Sequence, residues 1–318
     1  MIIHSAQILT DSIFLLVLVS AMCVFAAVVN KSTFLRVMAL GLLIGLAMMT
    51  RAAAQFAPPV IAVTIAYLVL RSGRQLFVAV ALSCTFLVVV LAVISPITLR
   101  NLQDFDSLQL TSQGGTHLLF WVAPEVVHAA KGTPLQTVRD RFQEELQAAI
   151  DKRPDNTNLF VQSQLQVAVA TAELKTLPIH SFVQAWLIGS LRTLITPAPL
   201  HDQRVRRLSN ASFAGTSGSF LERVTRYITE NSLAYRVVAI LTIGAAVVMS
   251  VVQLLGFVIC VRLAPIPTCF GLAVVAYFLL LNGPVGDAKY RLPMEPVLII
   301  WAASAIESWR ARRRDAAA

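Results

Sequence analysis

Three charged side chains crowd a short stretch near the end of this chain. In "GDAKYRLPMEPVLIIWA", residues 286–302, Asp287, Lys289 and Arg291 surround Tyr290 just before an apolar run. A lysine supplies a compact positive charge, and an arginine can hold two phosphate oxygens at once. Tyrosine adds a hydroxyl and suits a boundary between oil and water. Together they have the chemistry of an anion-binding mouth, and a phosphate at a membrane surface fits it. The plainer reading is that both cations snorkel out of an apolar layer. Arg51 and Asp11 raise the same question. Arg51 ends "GLLIGLAMMTR" in a connection too short to give it much bulk water. A cation held there needs an anionic partner, and a lipid phosphate would serve. Asp11, in "ILTDSIF", stands where an apolar run begins. It reads as a helix cap at the positive end of the dipole, or as the acidic wall of a cleft.

"TSQGGTHLLFW", residues 111–121, reads as a glycine turn followed by an aromatic run returning to the membrane surface. Gln113, Gly114 and Gly115 would let the backbone approach a ligand there. His117 and His128 have no partner at ligand spacing, so no histidine metal site is predicted. Cys23, Cys84, Cys260 and Cys269 lie in apolar stretches and read as small buried hydrophobes. There is no phosphate-binding loop, dinucleotide fingerprint or nucleophile elbow.

The elements that must position these residues are apolar. Of 318 residues 57% are hydrophobic and only 14% charged, against roughly 25% charged in soluble domains. Mean hydropathy is +0.71. No charge occurs over 75–99, 237–261 or 263–286, and each run is long enough to cross a ~30 Å hydrocarbon layer. The expected fold is all-α: a polytopic helical membrane protein with about seven spans, near 12–29, 34–49, 52–70, 75–94, 237–261, 263–281 and 292–306. Pro58 and Pro59 are expected to kink the third span. No cleavable signal peptide is recognisable at the start.

Basic residues in short loops set orientation. Lys31 and Arg36, Arg71 and Arg74, Arg262, and Arg310 with Arg312, Arg313 and Arg314 fall on one side when the N-terminus is extracytoplasmic and the C-terminus cytoplasmic. The net charge of +9 then reads as cytoplasmic loops and anionic lipid contact, and a nucleic-acid partner is rejected. Three regions follow: a four-span bundle over 1–99, an extracytoplasmic insertion over 100–236, and a three-span bundle with a basic tail over 237–318. Within the insertion, "TPLQ" at 133–136 predicts a capping box. An amphipathic helix follows through Leu135, Val138, Phe142, Leu146 and Ala149, then a second helix over about 157–176. The marginal apolar segment 179–195 is expected to lie in the interface, and 210–219 to be a flexible stretch.

Taken in order, "ILTDSIFLLVLV", "GLLIGLAMMTRAAAQFAPPV", "SPITLRNLQDFDSLQLTSQGGTHLLF", "LPIHSFVQAWLIGSLRTLITP" and "GDAKYRLPMEPVLIIWA" resemble the later part of GT-C fold membrane glycosyltransferases. The similar branch is the bacterial one that includes aminoarabinose transferases and protein O-mannosyltransferases. The resemblance implies sugar transfer at the extracytoplasmic face of the inner membrane, from a polyprenyl-phosphate donor to a lipid, glycan or protein. It implies that Arg51, Lys289, Tyr290 and Arg291 steady the donor phosphate and that Asp11 lies near the cleft. It further implies that the loop at Gln113, Gly114 and Gly115 shapes the cavity. It leaves open whether a divalent cation assists. Family members carry their acidic base in a first outer loop, and Asp11 does not match it. A truncated gene product is expected on that ground. A decayed copy, or a half that pairs with a separately encoded N-terminal half, would show the same departure. Two alternatives stand beside the transferase: a transporter or flippase for a lipid-linked or anionic substrate, and a non-catalytic membrane scaffold.

Overall fold

The computed structural model describes residues 2–152, 158–197, 205, 207, 208 and 220–315, and every regular element among them is helical. The charge-free runs become helices because a backbone in lipid must satisfy its own polar groups. The chain forms two compact units, Met1–Gln113 with Thr157–Gln162, and Gly114–Asn156 with Ser163–Ala318.

The first unit contains α1 (Ile2–Asn30), α2 (Phe34–Thr50), a 3-10 turn at Ala52–Ala54, α3 (Ala57–Arg71) and α4 (Leu76–Phe105). α2 packs on α1 and α4, and α4 on α3. Gly41 and Gly45, one turn apart, put α2 against α4. A Cβ on Gly41 would lie 2.9 Å from the Phe86 carbonyl oxygen, and one on Gly45 2.7 Å from Val93 Cβ. Small residues at this spacing let apolar helices meet closely where no hydrophobic force drives them together. Phe14, Val37, Leu40, Ile65 and Phe86 fill the interior, while Val63, Phe77, Val88 and Leu91 point outward. A large apolar residue on the outside of a charge-poor helix is suited to lipid, and Cys23, Cys84 and, in the second unit, Cys269 are likewise exposed on their helices, not buried as expected.

Three expectations change in this unit. Pro58 and Pro59 do not kink α3; they begin it, in the first turn, where no amide has an intrahelical acceptor to lose. Asp11 does not cap α1, because the helix continues back to Ile2. α4 runs through the expected boundary at residues 99 and 100 and stops at Phe105. There Asp106 takes a left-handed conformation (φ 52°) and its amide donates to the Leu102 carbonyl.

The second unit opens with α5 (Gln113–His117), a π-helical turn (Leu118–Val122) and α6 (Ala123–Lys131). α7 (Leu135–Ile150), α8 (Leu159–Leu174, from Ser163 onward in this unit) and α9 (Ile179–Ile195) follow. Beyond them lie α10 (Phe220–Glu230), α11 (Leu233–Leu263), α12 (Pro265–Asn282), a 3-10 helix (Ala288–Met294) and α13 (Glu295–Asp315). Leu119, Val126 and Val127 pack with Phe142, Leu146 and Leu174 in one hydrophobic cluster. The three-four spacing of α7 therefore buries the face it predicts, through Val138, Phe142 and Leu146. The capping box does not form. Pro134 is extended, the helix begins at Leu135, and Gln136 donates forward to Asp140. The Thr133 carbonyl instead meets His128 Nδ1 at 2.8 Å. Across the cluster, Lys131 donates to Glu173 at 2.7 Å. That bond holds the Glu173 carboxyl below its usual range; burial opposes it, and Arg141 adds to the lowering.

α9 is built inside out. Ser181, Ala185, Gly189 and Thr193 form its buried face, while Ile179, Val183, Leu187 and Leu191 are exposed. Its 17 residues span about 26 Å. Of the seven expected spans, five correspond to helices long and apolar enough to cross a membrane: Asp11–Asn30, Ala52–Arg71, Leu76–Phe105, Leu233–Leu263 and Pro265–Asn282. Phe34–Thr50 is a shorter apolar helix. The last expected span is different: residues 292–294 belong to the 3-10 helix, and α13 turns charged after Ile306. The segment 210–219 lies outside the described residues.

Candidate functional site

In the second unit the residues of interest hang on the turn between α12 and α13. α12 ends at Asn282, and Gly283 follows with φ 57° and ψ −133°, a conformation open to glycine. A Cβ at Gly283 would fall 2.7 Å from the Trp186 ring, whose Nε1 donates to the Leu280 carbonyl at 3.0 Å. A Cβ on Gly189 would lie 2.5 Å from the Gly283 carbonyl oxygen. The small face of α9 thus lies directly against this turn. Asp287 then starts the 3-10 helix, its carboxylate accepting from the Lys289 amide at 2.9 Å.

The two cations separate in role. Lys289 is exposed, with its ammonium 5.0 Å from the centre of the Tyr290 ring. Arg291 is half-buried and held by the protein. Its Nε lies 2.5 Å from Glu295, and one terminal nitrogen donates to the Leu194 carbonyl at 2.8 Å. Leu194 belongs to the last turn of α9, whose carbonyls have no intrahelical donor and carry the negative end of the dipole. Arg192, in the same turn, pairs with Glu125 of α6 at 3.1 Å.

His117 closes the group. Burial lowers its pKa from the ordinary 6.5, and the positive charge of Lys289 lowers it further. The imidazole is therefore neutral near pH 7 and able to accept a proton. The stretch that carries it is helical, not the expected glycine turn. Gln113, Gly114 and Gly115 begin α5, and a Cβ on Gly115 would collide with the backbone of Ser163, whose hydroxyl accepts from the Gly115 amide at 3.1 Å. Gly115 serves close packing of α5 on α8, while Gly114 has open space around its Cα.

In the first unit Arg51 donates to the carboxylate of Asp11, forty positions earlier, and lies over the Phe14 ring at 5.9 Å. The anion expected to be lipid phosphate is thus a protein carboxylate. The other end of the unit is basic: Arg74 donates to the Ser32 carbonyl at 2.9 Å, and Arg36 to those of Ala27 and Lys31. Asp11 and Lys31 bracket the apolar part of α1, about 30 Å apart along the helix.

Sequence reasoning missed Glu295, Glu125, Arg192 and the Leu194 carbonyl as partners. The spacing of Arg291 and Glu295 was a legible signal; the others come from helices distant in sequence. Among the described residues no group of three or more His, Cys, Asp or Glu side chains is placed to hold a metal ion. No family model matches the chain, and no curated protein or solved structure matches it.

Proposed function

We propose that this multi-pass helical membrane protein handles a sugar linked to polyprenyl phosphate, as a glycosyltransferase or part of one. We further propose that Lys289 and Tyr290 receive the donor phosphate. One observation carries the reading. Lys289 presents its ammonium outward over an aromatic ring, while Arg291 beside it is fixed by Glu295 and Leu194. An exposed cation on a fixed base suits a phosphate better than it suits a structural ion pair. Arg291 acts as a positioning residue in this scheme: it fixes the turn that carries Lys289. Arg51 and Asp11 hold each other and shape the first unit. Orientation follows the basic loops, with the N-terminus extracytoplasmic and the C-terminus cytoplasmic in an inner membrane. In the transfer an acceptor hydroxyl oxygen bonds the anomeric carbon and its proton is released to water. The bond from that carbon to phosphate oxygen breaks, and the electron pair leaves on the polyprenyl phosphate.

The test compares binding of a fluorescent polyprenyl phosphate with that of the matching polyprenol, using protein in nanodiscs. The phosphate should bind more tightly, and Lys289→Ala should remove about tenfold of that preference. Equal affinity for the two lipids would defeat the proposal. Transfer itself is read in membranes rich in the protein, as polyprenyl phosphate released from a polyprenyl-phosphate sugar above a vector control.

A further inference from the structure

The C-terminal end of α13 has no part in the site above. α13 packs along α11. A Cβ on Gly256 of α11 would fall on the backbone of Trp301, and the Phe257 and Trp301 rings lie 4.9 Å apart. A Cβ on Gly271 of α12 would lie 2.9 Å from Val297 and 3.6 Å from Trp301. Trp301 is therefore level with Gly256 and Gly271. The chain reverses between α11 and α12 at Ala264, and the 3-10 helix that leads into α13 packs on α12. α13 thus runs in the same direction as α11. From Gly256, α11 has about 10 Å left before it ends at Leu263, whereas α13 continues about 21 Å beyond Trp301 to Asp315. The last turns of α13 pass beyond the end of the apolar helix beside them.

Those turns carry a built arrangement. Trp309 is 54% exposed and sits where α11 ends. The Arg313 guanidinium lies 3.9 Å above its ring. Arg314 pairs with Glu307 at 3.1 Å. Glu307, Arg310, Arg313 and Arg314 line one open cleft, with Arg312 and Asp315 exposed nearby and Arg262 exposed at the end of α11. A single carboxylate in the cleft faces three guanidinium groups, which leaves it cationic. The same face of α13, in the turns before the cleft, exposes Ile299, Ile300 and Ile306, so the cleft continues along that helix into a strip suited to acyl chains. Tryptophan favours the head-group layer of a bilayer, and arginine matches phosphate in geometry.

We propose that Trp309, Arg310, Arg313 and Arg314 form a binding site for the phosphate head group of an anionic phospholipid. Its acyl chains lie against the exposed apolar face of α13, at Ile299, Ile300 and Ile306. The site does not depend on the proposed transferase function, and it holds in whichever leaflet the cleft faces.

The full chain is reconstituted in nanodiscs of equal parts phosphatidylcholine and phosphatidylglycerol, and the lipids retained after extraction are counted by native mass spectrometry. Wild type should retain phosphatidylglycerol over phosphatidylcholine. The triple variant Arg310→Gln, Arg313→Gln, Arg314→Gln should lose that preference by about tenfold or more. A second triple, Lys152→Gln, Lys175→Gln, Arg226→Gln, removes equal charge from exposed positions and should leave it within about twofold. Equal losses in both triples mean diffuse electrostatics and overturn the site. Loss of the retained lipid to inorganic phosphate at equal concentration also overturns it, because it marks a free-anion site. Should the first triple not fold, the single variants Arg313→Gln and Trp309→Phe carry the same measurement. Unchanged retention in both then overturns it.

Discussion

Arg291 donates to the carbonyl oxygen of Leu194, 97 residues earlier, at 2.8 Å. That bond, with the Glu295 contact at 2.5 Å, ties the start of α13 to the end of α9. It puts the last turn of a helix from the middle of the chain in direct contact with the stretch where the charges crowd.

Replacing Arg291 with Gln should cost about 1–3 kcal/mol, because it strands the Glu295 carboxylate and a helix-end carbonyl. Thermal unfolding in detergent measures the loss. A double-mutant cycle with Glu295→Gln should show coupling of about 0.5–3 kcal/mol. Additive effects would mean that the pair contributes nothing as a pair.

The Arg51 and Asp11 pair should behave as a unit. Arg51→Gln leaves a carboxylate unpaired beside an apolar helix and should destabilise by about 1–3 kcal/mol. Adding Asp11→Asn to that variant should recover part of the loss. If the double variant melts no higher than Arg51→Gln alone, the carboxylate was not the partner that mattered.

Packing between α2 and α4 predicts a contrast among glycines. Gly45→Leu drives a side chain into Val93 and should cost about 1–3 kcal/mol or prevent assembly. Gly244→Ala meets nothing within 4 Å and should leave the melting temperature unchanged or raised. Expression level and thermal melting together check both.

His117 makes stability depend on pH with a definite sign. Its folded pKa is depressed below 6.5, so the unfolded chain binds the proton more readily. The contribution is fully present above pH 6.5 and is lost as pH falls through 6.5 toward the folded value. Lys289→Ala should shrink the loss on acidification and His117→Gln should abolish it, read as the slope of melting temperature between neutral and mildly acidic pH. A slope that is the same in wild type and both variants would place the titrating group elsewhere.

How much of this was legible beforehand differs from residue to residue. The uncharged run of α11 and the spacing of Val138, Phe142 and Leu146 specified helices and a buried face, because periodicity and lack of charge are local properties. The role of the prolines in "APPV" was not legible, since a proline that begins a helix and one that kinks it look alike without the position of the preceding turn. Gly115 read as a loop residue for a similar reason: its lack of a side chain is required by Ser163, from another helix. Arg51 and Arg291 were recognisable as cations needing anions, because desolvation demands a partner for each. Glu295, four residues on, answers Arg291 locally; the other acceptors depended on tertiary structure. Asp11 reaches Arg51 through the hairpin of α1 and α2, and Leu194 reaches Arg291 because the small face of α9 packs against the turn after α12. The sequence determined where charge is scarce and where it must be neutralised, and its local spacing already offered Glu295 to Arg291; long-range packing decided that Asp11 and the Leu194 carbonyl meet the two arginines, because a contact between distant positions leaves no trace in local spacing.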